Sequence, residues 1–297
     1  MRSDLNIKKG AFGDADEASL CALTAFEVAR RLVDEDNPQS GDVSAKLEAS
    51  IQTFGVSLGQ KIERLQLLCC DRFELPAYYL PAGGSDVRTP AVICISKEDE
   101  TAAALLARLL PVAICRGLSI LVVSHEDVSN YSNRKPKFLL SCCLDYLSDQ
   151  PQIDVTRIGI YGEGLSAAIA TDFAASDRRI AAAVCDAGVW IWARSMACVD
   201  WMTRTKDGPN EEMASTYRTQ FLQKLRCPVL VVAGGRGIIS VPEAIKLKAD
   251  CTARRVDLEL IIPQMIQTPA GDVENFVASD DCIFTWLERK LAKWSPR

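Results

Sequence analysis

The chain reads as an α/β protein with a doubly wound, mostly parallel sheet, and three observations predict this. Strand-like runs alternate with helical patterns from about residue 61 to the end, as βαβ crossovers require. Ala91-Val92-Ile93-Cys94-Ile95 is apolar throughout, the pattern of a strand covered on both faces. The segment from Arg157 to Ala170 places an apolar strand, a glycine turn (Gly162-Glu163-Gly164) and a small-residue helix in succession.

The elements follow in order. Residues 1–60 form a helical N-terminal extension, with Leu20, Leu23, Phe26, Val28, Ala29 and Leu32 as an apolar stripe. Asp36-Asn37-Pro38-Gln39-Ser40-Gly41 breaks that helix, and a second spans about Val43 to Phe54. These helices cannot bury their stripes alone, so they pack on the main domain or on a second subunit. Ile62–Cys69 and Phe73–Leu80 read as a two-stranded meander, followed by the loop Pro81-Ala82-Gly83-Gly84-Ser85. After the 91–95 strand come helix 101–114, strand 118–124, helix 137–148, strand 156–161, helix 165–175 and strand 180–185. Residues 187–226 interrupt the alternation as a cap insertion holding Trp190, Trp192, Met196, Trp201 and Met202. Those residues either pack a small helical subdomain or wall a ligand pocket. Strand 228–233, helix 242–250, strand 256–262 and helix 279–293 complete the 61–297 domain.

Composition excludes several function classes. Net charge is −5 with 48% hydrophobic residues, so no clustered basic face marks a nucleic-acid partner. The short run Arg134-Lys135-Pro136-Lys137 reads as a solvated helix start. No apolar run is long enough for a membrane span, and Met1–Asn6 has no secretory h-region. The twelve cysteines are then expected as free thiols in the cytoplasm. Cys69-Cys70 and Cys142-Cys143 lack metal-ligand spacing, and the chain has one histidine. No metal and no cofactor is expected.

Gly162-Glu163-Gly164-Leu165-Ser166, set between strand and helix, resembles the nucleophile elbow of the α/β-hydrolase superfamily. Element order, short cap and helical extension resemble the branch that contains dihydropseudooxynicotine hydrolase, fungal pigment-chain-shortening hydrolases and fermentation-respiration switch proteins. Dienelactone hydrolases are more distant. The resemblance covers about four fifths of the chain, from residue 61 on. It implies an α/β-hydrolase fold, and that branch mostly hydrolyses C–C or ester bonds.

Matched to the superfamily's pattern, the catalytic positions are changed. Gly164 stands where the nucleophilic serine belongs, and Ser166 lies two residues on, turned away from the tip. Its expected role is close packing with a hydroxyl near free helix amides. The acid loop Ala233–Ser240 has no carboxylate before Glu243, a first-turn helix residue; Asp186, after the sixth strand, is the alternative acid. The base segment Ile261–Asn275 has no histidine, and His125 follows the fourth strand instead. Ser96-Lys97-Glu98-Asp99-Glu100, in place of a glycine-rich oxyanion loop, looks like a charged helix start. The Leu165 amide alone survives as an oxyanion donor.

The loops at the strand C-terminal ends, where open α/β sheets bind ligands, offer Ser96, Lys97, His125, Glu163, Asp186 and Arg236. Gly164, Leu165 and Trp190 complete the expected ligand site, with a carboxylate or other anion at the first amides of the 165–175 helix. Three classes stay open. One is a pseudoenzyme that binds a small molecule or a partner protein. Another is a hydrolase, lyase or cyclase using Glu163, Asp186 or His125 for acid–base work. The third is a scaffold subunit that forms a homodimer through its N-terminal helices.

Overall fold

The structure, a computed structural model, describes residues 39–57, 61–69, 73–82, 87–113, 116–129, 136–186, 224–233, 241–263, 265–268, 271–274 and 276–292, with Ala22 and Ala25. The expected first helix stripe, the cap from 187 to 223, Trp190 and Arg236 lie outside the described residues.

The described residues form an eight-stranded sheet in the order β1-β2-β4-β3-β5-β6-β7-β8. β1 (Glu63–Cys69) and β2 (Phe73–Leu80) are the antiparallel meander, and β2 pairs antiparallel with β4 (Ser119–Val123). From β4 onward every pairing is parallel, through β3 (Thr89–Ile95), β5 (Ile153–Glu163), β6 (Ile180–Asp186), β7 (Val229–Val232) and β8 (Leu258–Ile261).

Side-chain alternation along the central strands builds two cores. Ala91, Ile93 and Ile95 face one layer, against Leu139, Leu140 and Leu144 of α4 (Pro136–Asp149) and Phe173 of α5 (Leu165–Ser176). Val92 and Cys94 face the other, with Leu105, Leu106 and Leu109 of α2 (Ala102–Ala113) and Phe284 and Leu287 of α7 (Phe276–Leu291). Each fully buried aliphatic side chain contributes roughly 1.5–3 kcal/mol, so covering both faces fixes the sheet. Leu47, Ile51 and Phe54 of α1 (Gln39–Ser57) join the second core. The described part of the N-terminal extension thus packs on the domain itself. α6 (Val241–Ala253) covers the first face through Ala244, Leu247 and Cys251.

Three elements differ from the sequence reading. β5 runs from Ile153 to Glu163, longer than 156–161, because Ile153 pairs with Thr89 across a register shift. α3 (His125–Ser129) begins where a loop was expected. Its start is held by Ser124 and Asp127: the Asp127 amide donates to Ser124 Oγ at 3.0 Å, and that hydroxyl donates to Asp127 Oδ2 at 2.5 Å. β9 (Met265–Thr268) and β10 (Gly271–Glu274) pair as an antiparallel ribbon within the segment expected to carry the base.

Parallel register brings the functional loops together. Ile95 lies opposite Val123 and Gly162, and Glu163 lies opposite Asp186. Ser96, Ser124 and Gly164 therefore leave the sheet at one edge. Among the described residues, no helix is long and apolar enough to cross a membrane.

Candidate functional site

The turn after β5 keeps the backbone of an elbow. Gly164 sits at φ 62°, ψ −130°, a conformation that costs an L side chain about 1–3 kcal/mol. A Cβ at Gly162 would collide with the Ser166 carbonyl, so only glycine lets the helix start fold back over the strand. The Gly164 amide donates to the Asp186 carbonyl at 2.9 Å and ties the turn to β6.

The space beside Gly164 is taken by Glu98. Its Oε2 lies 2.5 Å from where a Gly164 Cβ would be and accepts a hydrogen bond from the Leu165 amide at 3.1 Å. α5 has no side-chain cap of its own. Glu98 supplies the anion that free amides at a helix start attract. The gap and the amide expected to receive an external anion are thus both engaged by the protein's own carboxylate.

His125 and Ser166 meet on the other side of the turn. Ser166 is fully buried, and its hydroxyl donates to the Ser96 carbonyl at 2.6 Å. His125 Nδ1 lies 2.7 Å from the same hydroxyl oxygen. A hydroxyl has one proton and a carbonyl only accepts. With that proton on the Ser96 carbonyl, Nδ1 must carry hydrogen and donate to Ser166. The relay runs His125 Nδ1–H to Ser166 Oγ–H to Ser96 C=O and leaves Nε2 with the lone pair. Burial lowers the pKa of the half-buried ring, against an opposing pull from Glu98. The imidazole is therefore neutral at physiological pH, donating to Ser166 where a catalytic base would accept.

Ser96 is the hub beneath this relay. Its buried hydroxyl accepts from the His125 amide at 3.1 Å and donates to the Glu100 carbonyl at 2.6 Å. Lys97 turns outward and pairs with Asp99 at 3.1 Å. The Leu165 side chain is partly exposed over the turn.

Glu163 and Asp186 belong to a deeper cluster built on Arg108. Arg108 Nη2 donates to Glu163 Oε2 at 2.6 Å, Nη1 to Asp280 at 2.7 and 2.8 Å, and Nε to Glu100 Oε1 at 3.4 Å. The buried Tyr161 hydroxyl donates to Glu163 at 3.1 Å and lies 3.4 Å from Asp186 Oδ2. Burial, reinforced by the charge of Glu163, raises the pKa of Glu100 despite Arg108 and Lys97. Glu98, Arg108, Tyr161 and Asp280 were not among the residues expected from sequence. One signal was present: Arg108 is the sole charge in the otherwise apolar α2, and such a charge is buried only when paired.

Strand order, parallel core, glycine elbow and two-sided helix packing define the α/β-hydrolase fold. Solved structures agree. The chain is similar to the 2,6-dihydroxy-pseudo-oxynicotine hydrolase, with a TM-score of 0.64 at 18% identity over 99% of this chain and 87% of that one. It is similar to AbyA5, with a TM-score of 0.59 at 19% identity over 96% and 80%. With the Pyrococcus furiosus esterase Pf2001 it shares a TM-score of 0.56 at 15% identity over 82% and 96%. No protein-family model and no curated protein sequence matches the chain.

Proposed function

We propose that this protein is a catalytically degenerate α/β-hydrolase-fold protein that binds a small molecule or a partner protein. One observation carries the reading. The Glu98 carboxylate fills the nucleophile's place at Gly164 and accepts from the Leu165 amide. A reacting carbonyl would find neither an attacking group nor a free oxyanion donor there. The direction of the His125–Ser166 hydrogen bond supports it, since the serine proton is already spent on the Ser96 carbonyl.

A second reading, an enzyme with chemistry outside a triad, draws support from His125 alone. The relay holds its Nε2 unprotonated, as a general base requires. Glu163 and Asp186 offer less, because Arg108 and Tyr161 already engage them. Cytoplasmic residence is part of the proposal; the eight described cysteines are all free thiols, as a reducing compartment keeps them. The 187–226 cap, a homodimer through the N-terminal helices, and roles for Trp190 and Arg236 remain parts of the same proposal.

The test is turnover of acyl nitrophenyl esters and labelling by a fluorophosphonate, with Ser166→Ala alongside. The expected result is neither turnover nor labelling. Turnover that vanishes in Ser166→Ala would mean that Ser166 is a nucleophile and the reading is wrong.

A further inference from the structure

Three carboxylates share the Arg108 guanidinium, and Glu100 is the one it serves least. Nη2 reaches Glu163 at 2.6 Å and Nη1 reaches Asp280 at 2.7 and 2.8 Å, whereas Nε stands 3.4 Å from Glu100 Oε1. The other oxygen, Glu100 Oε2, is buried with no hydrogen-bond partner among the described residues. An ionised carboxylate carries charge on both oxygens and calls for donors at each. Leaving one of them bare inside the protein costs more for the anion than for the neutral acid.

The surroundings act in the same direction. The titratable groups in and beside the cluster are Arg108 on α2, Tyr161 and Glu163 on β5, Asp186 on β6, Asp280 on α7 and Cys94 on β3. Lys97, Glu98 and Asp99 lie on the same turn as Glu100, and Lys97 pairs outward with Asp99. Burial and the charge of Glu163 favour the neutral form of Glu100, against Arg108 and Lys97.

The turn gives such a proton a consequence. The Glu100 carbonyl accepts from the buried Ser96 hydroxyl at 2.6 Å, and its amide donates to the Lys97 carbonyl at 3.2 Å. Two residues earlier, Glu98 accepts from the Leu165 amide. Glu100 thus anchors the inner end of a turn whose outer end caps α5. An ionised Glu100 gains hydration by swinging outward, and the turn moves with it. We infer that Glu100 holds a proton on Oε2 at neutral pH, and that this proton latches the 98–101 turn and its Glu98 cap over the elbow. The latch goes beyond the functional reading above and stands whether or not the elbow has lost its chemistry.

A carboxyl that binds its proton more tightly in the folded chain than at its ordinary 4.5 gives stability that is whole below that value. It is lost as pH rises through the raised native value. Urea titrations of the full chain from about pH 5 to about pH 8, with Glu100→Gln beside the wild type, test the proton. Gln is neutral at every pH. The wild-type unfolding constant should therefore rise relative to that of Glu100→Gln by up to about tenfold per pH unit. A ratio that does not change with pH would mean an ionised Glu100 and overturn the inference. Infrared spectra at neutral pH read the group directly. A protonated-carboxyl stretch present in the wild type and missing from Glu100→Gln is expected, and its absence from the wild type would also overturn the inference. If Glu100→Gln does not fold, Glu100→Met, neutral and of similar length, takes its place in both measurements. The latch is read at the Leu165 amide, whose hydrogen exchange at about pH 9 should be about tenfold faster in the wild type than in the neutral variant. Equal rates would mean that the proton does not hold the turn.

Discussion

The Arg108 cluster and the Glu98 contact lie within a few residues of each other at one sheet edge, yet charge does different work in each. Arg108 gathers Glu100, Glu163 and Asp280 from three elements, with its own side chain 20% exposed and those of Glu163 and Asp280 at 7% and 2%. Glu98 is exposed and meets one backbone amide. In the buried cluster each charge depends on the others, because an unpaired ion inside costs several kcal/mol. At the elbow the carboxylate caps a helix and blocks a donor, and solvent absorbs most of any change. Burial, more than charge count, separates the carboxylates that hold the fold from the one that caps the elbow helix.

Removing the guanidinium should therefore have the largest effect. Arg108→Met is expected to lower unfolding free energy by about 3–5 kcal/mol in urea titrations, because it strands buried carboxylates. Arg108→Lys should lose less, since it keeps the charge and forfeits the fork. A loss below about 1 kcal/mol for Arg108→Met would erase the contrast between the two regions.

Gly164→Ala comes next. It should cost about 1–3 kcal/mol through the positive φ, plus whatever is needed to push Glu98 aside. The same substitution in a Glu98→Ala background should cost measurably less. Strict additivity in that double-mutant cycle would mean that the two residues do not share the space.

Glu98→Ala alone should cost about 1 kcal/mol, the usual scale of a lost helix cap, and Glu98→Gln should recover most of it. Thermal melts of the two variants decide this. Equal losses would assign the effect to charge rather than to the acceptor.

The smallest expected effect is on pH dependence. Burial lowers the His125 pKa below its ordinary 6.5, so the unfolded chain takes up this proton at higher pH than the native one. The associated stability is complete above pH 6.5 and is lost as pH falls from there toward the depressed native value. His125→Gln should flatten the stability profile in that window, and an unchanged profile would mean the ring is not desolvated.

The fold was legible because periodicity carries it. Apolar runs such as 91–95 and 119–123 have to be covered on both faces, and the glycine turn admits few continuations. The short α3 was signalled by Ser124 and Asp127 at capping-box spacing, a pattern masked by the histidine between them. The site was legible only in part. Gly164, His125 and Asp186 could be placed at strand ends, but which carboxylate turns toward the elbow depends on side-chain direction in the 96–101 turn. Glu98, Asp99 and Glu100 are indistinguishable in sequence. In space one caps α5, one pairs with Lys97 and one reaches Arg108. The β9–β10 ribbon pairs through residues too few to give a reliable alternation.

The direction of the His125–Ser166 hydrogen bond separates a donor ring from a catalytic base, and the chain's single histidine makes it directly readable. Nitrogen-15 NMR of the imidazole in the folded protein reports which ring nitrogen bears hydrogen. Hydrogen on Nδ1, with Nε2 bare, is the result expected for a ring that donates to Ser166. Hydrogen on Nε2, with Nδ1 accepting the serine proton, would make His125 a base for Ser166 and contradict the proposal that the site is degenerate.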